Sequence, residues 1–224
     1  MMLTLLQDNL DYLLWGNLAQ GQPGGLLLTV GISLAAGVLA TLGGLAGGIA
    51  LTMGSPRLKR SLTLLVQVLR AIPVLMLIFW CYFLLPILFG IDIPGVLTVI
   101  AALALINAAY LSQSVQAGIA AIGKGQWMAG AALGMTRWQT LRYVILPPAL
   151  RHMLPSFINQ WITLLKDSSL AYVVGVAEFT FVATQINNRE QVYPLQVFGI
   201  VAIAYLLLCS GLEWSGRRLA GNSR

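Results

Sequence analysis

The residues best able to do chemistry in this sequence of 224 lie inside apolar runs. Lys166, Asp167 and Ser168 stand consecutively in one run, Asn107, Gln113 and Gln116 share another, and Arg70 lies near the start of a third. An ionisable side chain in a membrane segment costs about 3 kcal/mol on insertion scales, so each is a functional candidate. Gln113 and Gln116, three apart, fall on one helical face and could contact a polar solute, whereas Asn107 could equally hydrogen-bond to a neighbouring helix. Lys166 and Asp167 could neutralise one another, cap a helix break before Ser168, or line a path. For Arg70 the choices are snorkelling to the nearby interface or an interhelical ion pair. Metal and disulfide chemistry are not expected, since His152 is the sole histidine and Cys81 and Cys209 are isolated in apolar stretches. The sole Gly-Lys, at Gly123, is followed by Gly125 rather than Ser or Thr, so the chain has no phosphate loop and should not hydrolyse ATP.

The elements that position these groups must be membrane helices. The sequence is 58% hydrophobic and 9% charged, with a mean hydropathy of +0.82, so lipid is the solvent for most of it. A bilayer core of roughly 30 Å needs about 20 apolar residues in a helix. Five stretches meet or approach this: 26–53, 62–89, 96–122, 153–176 and 195–214, the fourth interrupted by Asn159, Gln160, Lys166 and Asp167. The net charge of +6 belongs to clusters between these runs, which reads as membrane orientation and not as nucleic-acid binding. Arg57, Lys59 and Arg60 follow the first stretch, Lys124, Arg137, Arg142 and Arg151 follow the third, and Arg217, Arg218 and Arg224 follow the fifth. The opposite side collects Asp8, Asp11, Asp92, Glu178 and Glu190 against Arg189. The expected fold is therefore all-α, a single domain over 1–224 with five transmembrane helices, the N-terminus outside and the C-terminus in the cytoplasm. Residues 1–24 are expected to form an amphipathic segment on the outer surface, and no cleaved leader is expected.

Two further local signals concern packing. Gly43 and Gly47, and likewise Gly44 and Gly48, repeat at four-residue spacing and would let another helix approach closely. Pro73 and Pro86 each remove a backbone donor from the second stretch, so kinks there need cover from neighbouring helices.

Residues 123–152 are too polar to span and too patterned for a plain loop. Trp127 to Leu133 is rich in small residues, and Gly134 follows where a left-handed cap is common. Thr136 with Gln139 forms a capping box opening a second short helix, which Pro147 and Pro148 should stop. This helix-turn-helix has the shape of a coupling element for another protein, or of an interfacial hairpin on lipid headgroups.

Met128, Ala129, Gly130, then Gly134, Val144, Leu146 and Pro147 keep the spacing of the EAA loop, and the chain resembles permease subunits of bacterial ATP-binding-cassette importers in the polar amino-acid branch. Arg70 to Pro73, Ala109 to Leu111, Lys124 to Trp127 and Leu164 to Ala171 strengthen that resemblance, which covers about 29–218. It implies Trp127, Met128, Ala129, Gly130, Ala131, Ala132, Gly134, Leu146 and Pro147 as the ATPase-coupling residues. It further implies a second permease subunit, identical or homologous, two copies of a cytoplasmic ATPase that binds ATP and Mg, and a periplasmic binding protein, in the inner membrane. No cofactor is expected on this chain. Met128 departs from the usual Glu of the loop, and Gln113 and Gln116 replace a charged pair common in the family. Acidic or amide amino acids are slightly favoured as solute. The rival readings are a permease of the same architecture for another solute such as methionine, and a non-transporting membrane scaffold.

Overall fold

The computed structural model describes residues 2–18, 21–90, 93–190 and 194–221. Asp92 and Arg224, together with the side chains of Asp8 and Glu190, lie outside the described residues. Helix dominates throughout, with α1 (Met2–Trp15), α2 (Gly25–Met53), α3 (Pro56–Ala71), α4 (Val74–Phe79), α5 (Leu85–Phe89), α6 (Gly95–Ala121), α7 (Lys124–Ala132), α8 (Arg137–Thr140), α9 (Leu146–Asp167), α10 (Phe179–Glu190) and α11 (Pro194–Gly221). A hairpin of two-residue strands, β1 (Gly16–Asn17) and β2 (Gln22–Pro23), pairs antiparallel after α1, a small addition to the all-α expectation.

Among the described residues three helices are long and apolar enough to cross a membrane: Gly25–Met53, Gly95–Ala121 and Pro194–Arg218. The other two expected spans are not single α-helices. The second breaks at 72–73, because Pro73 lacks an N–H and biases the preceding residue away from helical geometry. The fourth ends as α-helix at Asp167 and tightens into a 3-10 segment, Ser168–Val174, stopped by Gly175 in the left-handed conformation.

Proline acts differently where a π-helical turn precedes it. Trp80–Leu84 and Leu141–Ile145 are π-helical, and each is followed within two residues by Pro86 or Pro147. In a regular helix the missing N–H of Pro86 or Pro147 would leave the Tyr82 or Tyr143 carbonyl without its donor. Widening the turn lets the residue before each proline, Leu85 or Leu146, donate to Trp80 or Leu141 instead. The expected stop at Pro147 and Pro148 is thereby corrected: both lie within α9, into which the helix continues from the π-helical turn.

The chain forms two compact units: 1–38, 72–104 and 161–211 make the first, and 39–71, 105–160 and 212–224 the second. In the first, Leu13 of α1 is buried with Phe179, Val182, Ala183 and Ile186 of α10 and Val197 of α11, so α1 is anchored to protein through one face. In the second, Val115 and Ile119 of α6 pack with Leu141, Ile145, Ala149 and Met153. The glycine stripe packs as its spacing suggests. A Cβ on Gly44 would sit 2.4 Å from the Leu111 Cβ, and one on Gly48 2.4 Å from the Val115 Cβ, so only glycine permits α2 and α6 to lie this close.

Candidate functional site

The segment between α6 and α9 folds as a helix-turn-helix built by local chemistry. Gly134 takes φ +74° at the end of α7, its N–H donates to Ala131 O and the Met135 N–H donates to Gly130 O, which closes a Schellman turn. Thr136 then caps α8: the Gln139 N–H donates to its hydroxyl at 3.2 Å, and its own N–H donates to Gln139 Oε1 at 2.8 Å. Gly130 is buried, and a Cβ there would fall 2.5 Å from Thr140 Cγ2, so the two short helices touch at this point.

This joint turns one face outward. Met128 is 66% exposed and Leu133 79%, with Ala129, Ala131 and Ala132 exposed between them. Trp127 instead packs half-buried against the core of its unit. Leu146 and Pro147 belong to the start of α9 and are not part of the exposed small-residue surface. Exposed methionine, alanine and leucine without charge suit burial against a protein groove, since water gains nothing from contact with them.

The intramembrane polar groups are distributed more widely than their types suggested. Asn107 accepts a hydrogen bond from Gln160 Nε2 at 2.6 Å, an interhelical amide clamp. Gln113 accepts from the Arg70 guanidinium, which also stacks over the Tyr110 ring at 4.8 Å, while the Tyr110 hydroxyl donates to Arg70 O at 3.5 Å. Among the described residues Arg70 is held by an amide and a ring. Gln113 lines one cavity with Ser114, His152 and Ser156, and Gln116 lines another with Lys59, Lys124, Trp127 and Arg137. The two glutamines therefore face different cavities. Asp167 ends α9 without making a side-chain cap, so the break there does not depend on its carboxylate. Ser168 is buried and donates to Leu165 O at 2.7 Å, and Ser169 donates to Lys166 O at 2.7 Å, so both hydroxyls serve their own helix.

Glu178 is the residue the sequence reading undervalued. It is fully buried at the N-cap of α10, where its carboxylate accepts from the Thr180 N–H at 2.9 Å and the Phe181 N–H at 2.8 Å. The Thr29 and Tyr205 hydroxyls add contacts at 3.3 and 3.4 Å, and the Phe179 N–H donates to Thr29 Oγ1 at 3.0 Å. Burial pushes the Glu178 carboxyl up to about 7, against the opposing pull of these hydrogen bonds. An acid immediately before the Phe179–Phe181 run was the available signal, as a helix-start residue.

Long apolar helices of this kind mark an integral membrane protein. Residues 17–220 match the family described as binding-protein-dependent transport system inner membrane component, and the chain belongs to that family. It is 37% identical over 180 residues to the glutamine transport system permease protein GlnP of Escherichia coli K12, covering 79% of this chain and 80% of that protein. It is 32% identical over 215 residues to the glutamate/aspartate import permease protein GltK of Escherichia coli O6:H1, covering 89% and 96%. A crystal structure of an amino acid ABC transporter with histidines superposes with a TM-score of 0.81 at 29% identity, over 88% of this chain and 92% of that one. The chain is accordingly a multi-pass inner-membrane transport subunit and not an enzyme.

Proposed function

We propose that this chain translocates polar amino acids, with acidic or amide side chains slightly favoured, as one permease of an ATP-binding-cassette importer. Its exposed surface Met128–Leu133, held by the Schellman turn and the capping box, is the observation that carries the reading. That surface would seat in a cytoplasmic ATPase carrying ATP and Mg, two copies of which serve a pair of permeases, and a periplasmic binding protein would deliver the solute. The similarity to glutamine and glutamate/aspartate permeases supports the solute class.

In this reading the chain crosses five times, with α3 to α5 as one broken crossing and α9 with its 3-10 continuation as another, the N-terminus outside and the C-terminus inside. Closure of the ATPase pair pushes on α7, and Gly130 against Thr140 passes the push to α8 and onward into α9. Met128, where the family commonly has Glu, contributes packing without a charge. Gln116, Lys166 and Asp167 are the polar positions proposed for the solute path; Asn107 and Gln113 already have protein partners. The test is ATP hydrolysis by the reconstituted complex with glutamine, glutamate, aspartate, arginine and methionine offered in turn. Stimulation by one or more polar amino acids is expected; response to methionine alone, or to none, would reject the solute class.

A further inference from the structure

Arg70, in the last turn of α3, is exposed, and among the described residues no carboxylate lies within 4.0 Å of it. Its own unit holds none to offer: across 39–71, 105–160 and 212–224 the sole acidic residue is Glu213, already paired with Arg217 at 2.6 Å. The end of α3 contributes only the partial negative charge of a helix C-terminus. What holds the guanidinium is neutral. Its Nη1 donates to Gln113 Oε1, and its carbon stands 4.8 Å from the centre of the Tyr110 ring. The Tyr110 hydroxyl donates to Arg70 O at 3.5 Å, one of the carbonyls that the end of α3 leaves without a helical donor, so one residue steadies both backbone and side chain. A guanidinium has five N–H donors in one plane. Gln113 takes one and the ring covers a face, which leaves four without an acceptor among the described residues.

The depth of this group decides what it faces. Gln113 stands eight residues before the end of α6 at Ala121, about 12 Å along the axis, and the hydrocarbon core that α6 crosses is roughly 30 Å thick. A charge at that depth is costly against lipid and is tolerated beside a water-filled cavity. Such a space adjoins it: Gln113 also lines a cavity of about 560 Å³ with Ser114, His152 and Ser156, in the range of small-ligand sites and without an acidic residue in its lining. We infer that the Arg70 guanidinium receives the α-carboxylate of the transported amino acid, with Gln113 and Tyr110 as the residues that position it. Two parallel N–H groups on one guanidinium edge meet the two oxygens of a carboxylate as a bidentate pair, which supplies the missing charge and the missing acceptors together. Every amino acid carries this group, so the contact selects the class of solute and leaves the side chain to be read elsewhere. The inference rests on the proposed transport of amino acids and assigns one contact within it.

The test uses the full-length permease in nanodiscs and reads solute binding by saturation-transfer NMR. The probes are L-glutamine, L-glutamate and L-aspartate, each beside its α-carboxamide, which keeps the side chain and loses the α-carboxylate. Wild type should bind at least one of the three, and prefer it to its carboxamide by about tenfold or more. R70Q should weaken the amino acid roughly ten- to a hundredfold and remove the preference, since a neutral amide meets both probes alike. R60Q, which removes an exposed charge in the first turn of α3, should keep the preference and so separates this contact from the general basicity of the unit. Q113E gives Arg70 a carboxylate within the chain and should weaken amino-acid binding about tenfold while the thermal midpoint stays at or above that of wild type. A preference that survives in R70Q, or binding unchanged in Q113E, would overturn the contact. Absence of binding by wild type would overturn it as well. The ATP response of the reconstituted complex to the same amino acids then shows separately whether the transport reading stands or falls with it.

Discussion

At the scale of single residues, the structure shows which polar groups hold the protein together. Glu178 is one of them. Its carboxyl is raised by burial from 4.5 to about 7, so the native state binds its proton more tightly than the unfolded chain does. Stability from this group is fully present below pH 4.5 and is lost as pH rises through about 7, a fall of up to roughly 3 kcal/mol. Thermal unfolding of wild type in detergent should thus show a midpoint that declines between pH 5 and 7.5, and Glu178→Gln should flatten that decline, since the amide does not titrate and its single carbonyl oxygen keeps one of the two backbone donors, Thr180 or Phe181. A slope identical in both proteins would assign the decline elsewhere. Gln113 makes a second case. Gln113→Leu strips the Arg70 guanidinium of its acceptor but leaves the Tyr110 ring beneath it, and because Arg70 is exposed the cost should be only about 1 kcal/mol. The rank order of competing amino acids should stay unchanged in that variant, whereas Gln116→Leu should alter it if Gln116 meets the solute. Glu178 was hard to read because Thr29 lies 149 residues away and Tyr205 27, and nothing local to an acidic residue announces such partners.

At the scale of elements, what was legible followed from contacts within four residues. Thr136 and Gln139, three apart, and Gly134 after a small-residue run carry their geometry in their own spacing, and both helix ends form where that spacing puts them. The glycine stripe was legible for the same reason: Gly44 and Gly48 share a face whatever helix meets it, although the partner, α6, was not readable. Pro147 and Pro148 do not stop their helix, for a physical reason. A proline rule counts the lost donor, while the π turns at Trp80–Leu84 and Leu141–Ile145 reassign donors one residue upstream and let the helix run on. Pro73, with no such turn before it, does break its helix. Two predictions belong here. Gly48→Leu forces a side chain into Val115 and the Ser112 carbonyl, and should destabilise the protein by about 1–3 kcal/mol in thermal unfolding. Gly134→Val places a β-branched residue at φ +74°, a conformation costing roughly 1–2 kcal/mol, while nothing lies within 4 Å of its Cβ. The strain therefore falls on the turn alone. Membrane insertion should be normal and ATP hydrolysis should lose its dependence on solute; normal coupled transport by this variant would reject the coupling role of α7.

At the scale of the whole molecule, charge divides with the compact units. The second unit holds eleven basic residues and one acidic, and residues 1–38, 72–104 and 161–211 hold six acidic and two basic. The division into units follows from packing alone and groups the same charges from which the proposed orientation was drawn. A basic segment resists transfer across the membrane during insertion, so in the proposed orientation the second unit's bases lie on the cytoplasmic side. Single cysteines at Asp11 and Asn188, both exposed, should then react with a membrane-impermeant thiol reagent in cells whose outer barrier is permeable to it, after Cys81 and Cys209 are replaced. Cysteines at Arg60 and Arg217, also exposed, should react only once the inner membrane is opened. The reverse pattern would place α7 outside, away from any ATPase, and would remove the coupling role. Reaction of all four from outside would mean that the membrane was breached, which a cytoplasmic marker protein labelled in the same cells detects. With that control in place, the protected pair at Arg60 and Arg217 fixes the side on which Met128–Leu133 can meet a nucleotide-driven partner.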